Sequence, residues 1–108
     1  MHIEREHRVG KAEAVRKIDA LLDALTREEL PAGVTIKEPF KSWSENVMQF
    51  SFKAKKSFFG ATISGIIRVE DDSLTLDAEV PPLVTAFVSE DQIKGLINEQ
   101  LDEEFGPS

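Results

Sequence analysis

Residues 46–80 read NVMQFSFKAKKSFFGATISGIIRVEDDSLTLDAEV, and this stretch decides the fold. Met48, Phe50, Phe52 and Ala54 are apolar at every second position. So are Ala61, Ile63, Gly65, Ile67 and Val69, and then Leu74, Leu76, Ala78 and Val80. The intervening positions are mostly polar: Gln49, Ser51, Lys53 and Lys55, then Thr62, Ser64 and Arg68, then Thr75, Asp77 and Glu79. A period of two sends alternate side chains to opposite faces, so the stretch predicts three consecutive antiparallel strands with one dry face and one wet face. Residues 57–60 join the first two of these strands, and the acidic segment Glu70-Asp71-Asp72-Ser73 turns into the third.

Working outward, residues 34–40 extend the sheet. Val34, Ile36, Glu38 and Phe40 share one parity, and Pro39 marks an edge strand or an early end. Residues 42–46, Ser-Trp-Ser-Glu-Asn, read as the turn into the meander. Residues 3–9 form a short first strand that stops at Gly10. From Lys11 to about residue 29 the period changes to that of a helix, with Val15, Ile18, Leu22 and Leu25 on one stripe and Leu21 widening it; Pro31 and Gly33 end it. After Pro81-Pro82, Ser89 and Gln92 form a capping box for a second helix. Its buried stripe is Ile93, Leu96, Ile97, Leu101 and Phe105, and Gly106-Pro107 stops it.

The expected order is therefore β-α-β-β-β-β-α. One antiparallel five-stranded sheet with both helices on one face buries every stripe, an α+β class whose order matches the TATA-binding-protein-like topology. Residues 1–108 form one domain. The opposite sheet face stays bare in a monomer and carries Val47 and Ile66, so a homodimer that pairs two such faces is one way to cover it.

Composition narrows the function classes. The net charge is −7, with 11 basic and 9 acidic residues in 1–57 but 2 basic and 11 acidic in 58–108. An acidic balance argues against nucleic acid, whose phosphates call for clustered Lys and Arg. The absence of cysteine excludes disulfides, thiolate metal sites and a cysteine nucleophile. No apolar run approaches the ~20 residues of a transmembrane helix, and the first residues lack a signal-peptide core, so a cytoplasmic location is expected. Nucleophile, base and metal ligands are not gathered in any readable motif. The expectation is a protein that is not an enzyme and needs no cofactor or metal.

Four segments together resemble a bacterial family, the polyhydroxyalkanoic acid system (granule-region) proteins. His7-Arg8-Val9-Gly10 is similar to the family's His-x-Leu-Gly opening, ahead of a charged helix with Ala12 and Ala14. Residues 48–54 are similar to its aromatic strand, and residues 60–69 to its Gly-x-x-x-x-Gly-x-hydrophobic-x-Val strand. Residues 80–87 are similar to its Leu-Pro…Phe segment before the last amphipathic helix. The resemblance implies an accessory protein of polyester storage, acting on the granule polymer surface or on granule proteins. It implies no catalytic residues.

Two groups of residues stand out as candidate contact sites. Lys55, Lys56, Phe58 and Phe59, with Lys53 beside them, make a basic and aromatic hairpin tip. Either the rings fold back into the core, or one of them meets a polyester or lipid surface while the lysines meet anionic groups. His7, Arg5 and Trp43 are candidate ligand or switch residues. His7 is either satisfied by a backbone carbonyl or carboxylate, or titrates against a ligand. Arg5 either pairs with a carboxylate at the strand end or snorkels to water. Trp43 either anchors a loop on the core or lines a groove. An alternative function is an acyl-chain binding module, which needs a cavity of a few hundred Å³ between sheet and helices.

Overall fold

A computed structural model of the protein describes residues 1–25, 27 and 33–106. The strands are β1 (His2–Glu6), β2 (Thr35–Ser44), β3 (Val47–Lys56), β4 (Phe59–Val69) and β5 (Ser73–Glu79). The helices are α1 (Lys11–Leu25), α2 (Pro82–Thr85) and α3 (Glu90–Phe105). All strand pairs are antiparallel, in the order β1-β5-β4-β3-β2. The expected α+β architecture is present, with the short α2 added. The first strand lies beside the last, so α1 carries the chain from one sheet edge to the other.

The period of two separates the faces. Met48, Phe50, Ala54, Ile63, Ile67, Val69, Leu74, Leu76 and Ala78 are buried, whereas Gln49, Thr62, Ser64, Arg68, Asp77 and Glu79 are exposed. Against the dry face α1 lays Ala14, Ile18, Leu21 and Leu22, and α3 lays Ile97 and Leu101. Ala14 is fully buried and Val15 half-buried, so the centre of the α1 stripe sits one residue earlier than the spacing suggests. A second cluster joins Val34, Ala54 and Ile63 to Val84 and Val88, and Phe52 and Ile93 bridge the two clusters.

Helix ends are satisfied as their sequences direct. Gly10 turns the chain into α1 at φ 83°. The expected capping box at α3 is closed: the Gln92 backbone N–H donates to Ser89 Oγ at 3.1 Å, and the Ser89 N–H donates to Gln92 Oε1 at 3.0 Å. Gly106 ends α3 at φ 84°. α1 ends at Leu25 and Arg27 is already in a turn, so the helix is shorter than the expected run to about residue 29; residues 28–32 lie outside the described residues.

The structure corrects the reading of β2 in two respects. β2 continues to Ser44, and the turn into β3 is the pair Glu45-Asn46. Its pairing with β3 also shifts between Lys37 and Phe40, with Glu38 held at φ 53°. This bulge reverses the parity of the strand. Val34 and Ile36 face the helices, but beyond the bulge Lys41 and Trp43 do so, and Phe40 is turned to the open face. Because β2 is an edge strand, Pro39 costs no inner ladder bond.

Candidate surface-binding site

β3 and β4 form a tight hairpin in which Lys56 pairs with Phe59 and Lys55 with Gly60, leaving Ser57-Phe58 as the turn. The loop is thus two residues shorter than residues 57–60 suggest. Phe58, at its tip, is 100% exposed. Phe59 has the parity of the dry face but lies beyond the edge of the core, 54% exposed.

α2 supplies the other half of the patch. Pro82 stands at the first helical position, where a missing N–H costs nothing, and Pro81 enters in an extended conformation. Residues four apart share a helix face. Val84 and Val88 therefore turn into the second core cluster, and Leu83 and Phe87 turn outward, both partly exposed. The Phe59 and Phe87 ring centroids are 6.2 Å apart, and Lys56 Nζ sits 4.9 Å from the Phe87 centroid, a cation–π distance. Lys55 is exposed beside them. Lys53 pairs with Glu38 at 3.4 Å. Residues 81–88 contain no carboxylate. An otherwise acidic protein thus presents, at one end, aromatic and aliphatic side chains rimmed by ammonium groups. Leu83 and Phe87 escaped the sequence reading, although the i,i+4 pairs 83/87 and 84/88 carried the signal.

His7, Arg5 and Trp43 lie apart from this patch and from a common site. β1 and β2 are opposite edges of the sheet, so Arg5 and Trp43 are on different sides of the molecule. His7 is buried. Its Nε2 lies 2.9 Å from the Glu70 carbonyl, its Nδ1 accepts from the Val9 N–H at 3.4 Å, and its ring centroid is 5.6 Å from that of Phe105. That pattern fits the tautomer protonated on Nε2. Arg5 donates from Nη2 to the Gly106 carbonyl at 2.6 Å and pairs through Nη1 with Asp102 at 2.8 Å. Lys17 donates to the Glu104 carbonyl at 2.6 Å. The last turn of α3, DEEF, has no basic residue, so these two cations meet its negative end from outside. Trp43 is on strand β2, and its Nε1 donates to Asp19 at 2.9 Å. That bond, and then the Lys41 ammonium, hold the Asp19 carboxyl below its ordinary range.

Outside these contacts His2 is exposed between Asp77 and Glu4, and hydrogen bonds to those carboxylates, Asp77 first, raise its pKa. Among the described residues no cluster of His, Cys, Asp or Glu could hold a metal ion, and no helix is long and apolar enough to cross a membrane. An apolar cavity of about 60 Å³ lies between the sheet and the helices, bordered by Leu22, Phe50, Phe52, Ile67, Val88 and Ile97. It is several-fold smaller than a site for an acyl chain requires.

The fold places the chain among small α+β proteins built around one antiparallel sheet with a helix-covered face. The family described as "Putative polyhydroxyalkanoic acid system protein" (PHA_gran_rgn) matches residues 1–105, and the chain belongs to that family. All four segments that carry the resemblance lie within the match. No curated protein and no solved structure matches the chain, so the likeness to the TATA-binding-protein topology rests on element order alone.

Proposed function

We propose that the protein is a non-catalytic accessory component of bacterial polyhydroxyalkanoic acid storage. It works in the cytoplasm by seating its hairpin tip on the polymer surface of a granule. Family membership supports the system. The observation that carries the mode of action is the complete exposure of Phe58 beside Phe59, Leu83 and Phe87, with Lys55 and Lys56 at the rim. Partly inserted rings gain apolar burial at such an interface, and nearby ammonium groups meet anionic ends or headgroups. The small dry cavity gives no comparable support to an acyl-chain carrier.

The test is sedimentation of the purified chain with polyhydroxyalkanoate particles. The wild type is expected to co-sediment, and Phe58→Asp combined with Phe59→Asp to stay in the supernatant. Equal binding by both removes the tip from the mechanism. Absence of wild-type binding removes the polymer surface and leaves granule proteins as the partner to seek.

A further inference from the structure

We infer that the open face of the sheet is a self-association surface, on which two copies of this chain pack sheet against sheet as a twofold dimer. The inference is independent of the hairpin tip and starts from the bulge in β2. Holding Glu38 at φ 53° is a strained arrangement for a residue other than glycine. Its consequence is that Phe40 leaves the parity of Val34 and Ile36 and stands on the open face, 56% exposed. Ile66, on central β4, is 37% exposed on the same face. With Gln49, Ser51 and Ser64 they floor a broad, shallow hollow.

The charges around that hollow identify the occupant. At one corner, on β1 and β5, stand Glu4, Glu6, Asp77 and Glu79, with His2 bonded to Asp77 and Glu4. At the diagonally opposite corner stand Lys37 and Lys53. Lys37 and Lys53 face each other directly across β2 and β3, a like-charge pair that destabilises a lone sheet. Glu38 relieves one member of it, and Arg68, nearer the centre, is the exception on the acidic half. A partner of uniform charge would be repelled by one corner. A second copy, turned about a twofold axis across this diagonal, sets lysines on carboxylates twice and brings Phe40 and Ile66 of both copies to the middle. This is the self-complementarity that an isologous contact requires. Five strands of 5 to 11 residues, about 4.8 Å apart, give a footprint of about 700 Å² per copy. That is close to the lower end, about 600 Å² per partner, of specific interfaces, so dissociation is expected in the micromolar range.

Sedimentation velocity of the full chain between about 1 and about 200 µM spans that range. The expected result is a mass rising from 12.1 kDa to twice that value. Phe40→Asp should raise the dissociation constant at least ~tenfold. Lys37→Glu with Lys53→Glu, and separately Asp77→Lys with Glu79→Lys, should each give monomers, and mixing the two charge-reversed proteins should restore a dimer. A wild type that stays monomeric throughout overturns the inference whatever the variants do. So does a dimer indifferent to Phe40→Asp, or a mixture of the reversed proteins that stays monomeric while each alone keeps the wild-type melting temperature.

Discussion

Arg5 and Asp102 fasten the edge of the sheet to the end of the last helix: Nη1 lies 2.8 Å from Oδ1, and the arginine side chain is 8% exposed against 50% for the aspartate. The asymmetry predicts unequal costs. Arg5→Met keeps the apolar stem and releases Asp102 into water, so it should cost within about 1 kcal/mol. Asp102→Ala strands a buried guanidinium that keeps its bond to the Gly106 carbonyl, and should cost about 2–3 kcal/mol. Urea unfolding of the two variants decides the order, and equal losses would refute the account.

Asp19 makes stability depend on acidity. Its carboxylate accepts the Trp43 Nε1–H and pairs with Lys41, which lowers its folded pKa. A lowered carboxyl binds its proton less readily in the folded state than in the unfolded one. Its contribution is therefore present above the unfolded value, about 3.9, and is lost as pH falls through the folded value. The melting temperature of the wild type should fall below about pH 5, and that of Asp19→Asn should fall less over the same window. Trp43 is the single tryptophan, so its fluorescence reports the change directly. The His2 shift has the opposite sign. Its contribution is present below the ordinary imidazole value and is lost as pH rises through the raised one.

The sheet was legible because its pattern is local. Alternation from Met48 to Ala78 depends on strand geometry alone, and the Ser89–Gln92 box is a four-residue motif. β2 was legible only up to its bulge. Val34, Ile36, Glu38 and Phe40 keep an unbroken parity in the sequence, and the reversal at Glu38 comes from pairing with β3 and from the pull of Lys41 and Trp43 toward α1. At the site, the Lys-Phe tip was visible as a composition. Its completion by Leu83 and Phe87 was not, because contact between β4 and α2 is a tertiary fact. The pairing of Arg5 with Asp102 spans almost the whole chain, and no sequence period reports such a distance.

Gly65 is required by backbone approach. A Cβ there would be 2.9 Å from Phe50 Cζ and 2.8 Å from Ala78 Cα, and closer still to the Asp77 carbonyl. The Phe50 ring can yield, but the β5 backbone is fixed by its ladder to β1 and β4. Gly65→Ala should therefore cost about 1–3 kcal/mol or more. Adding Phe50→Leu, which makes room on the ring side alone, should not recover the loss. Recovery in the double variant, measured by thermal melts, would show that the ring and not the strand sets the limit.

The hairpin tip allows contact and stability to be separated within one patch. Phe58 touches nothing that a water molecule would not replace, since it is fully exposed, so Phe58→Asp should leave the unfolding free energy within about 0.5 kcal/mol of the wild type. Phe87 is tied down by the Phe59 ring and the Lys56 ammonium. Phe87→Ala should lose both contacts and cost about 1–2 kcal/mol. A Phe58→Asp protein that melts with the wild type but no longer adheres to polyester particles would assign that ring to adhesion rather than to folding. A protein destabilised by more than about 1 kcal/mol by this change would mean that Phe58 packs against the fold in solution, and would remove it from the contact surface.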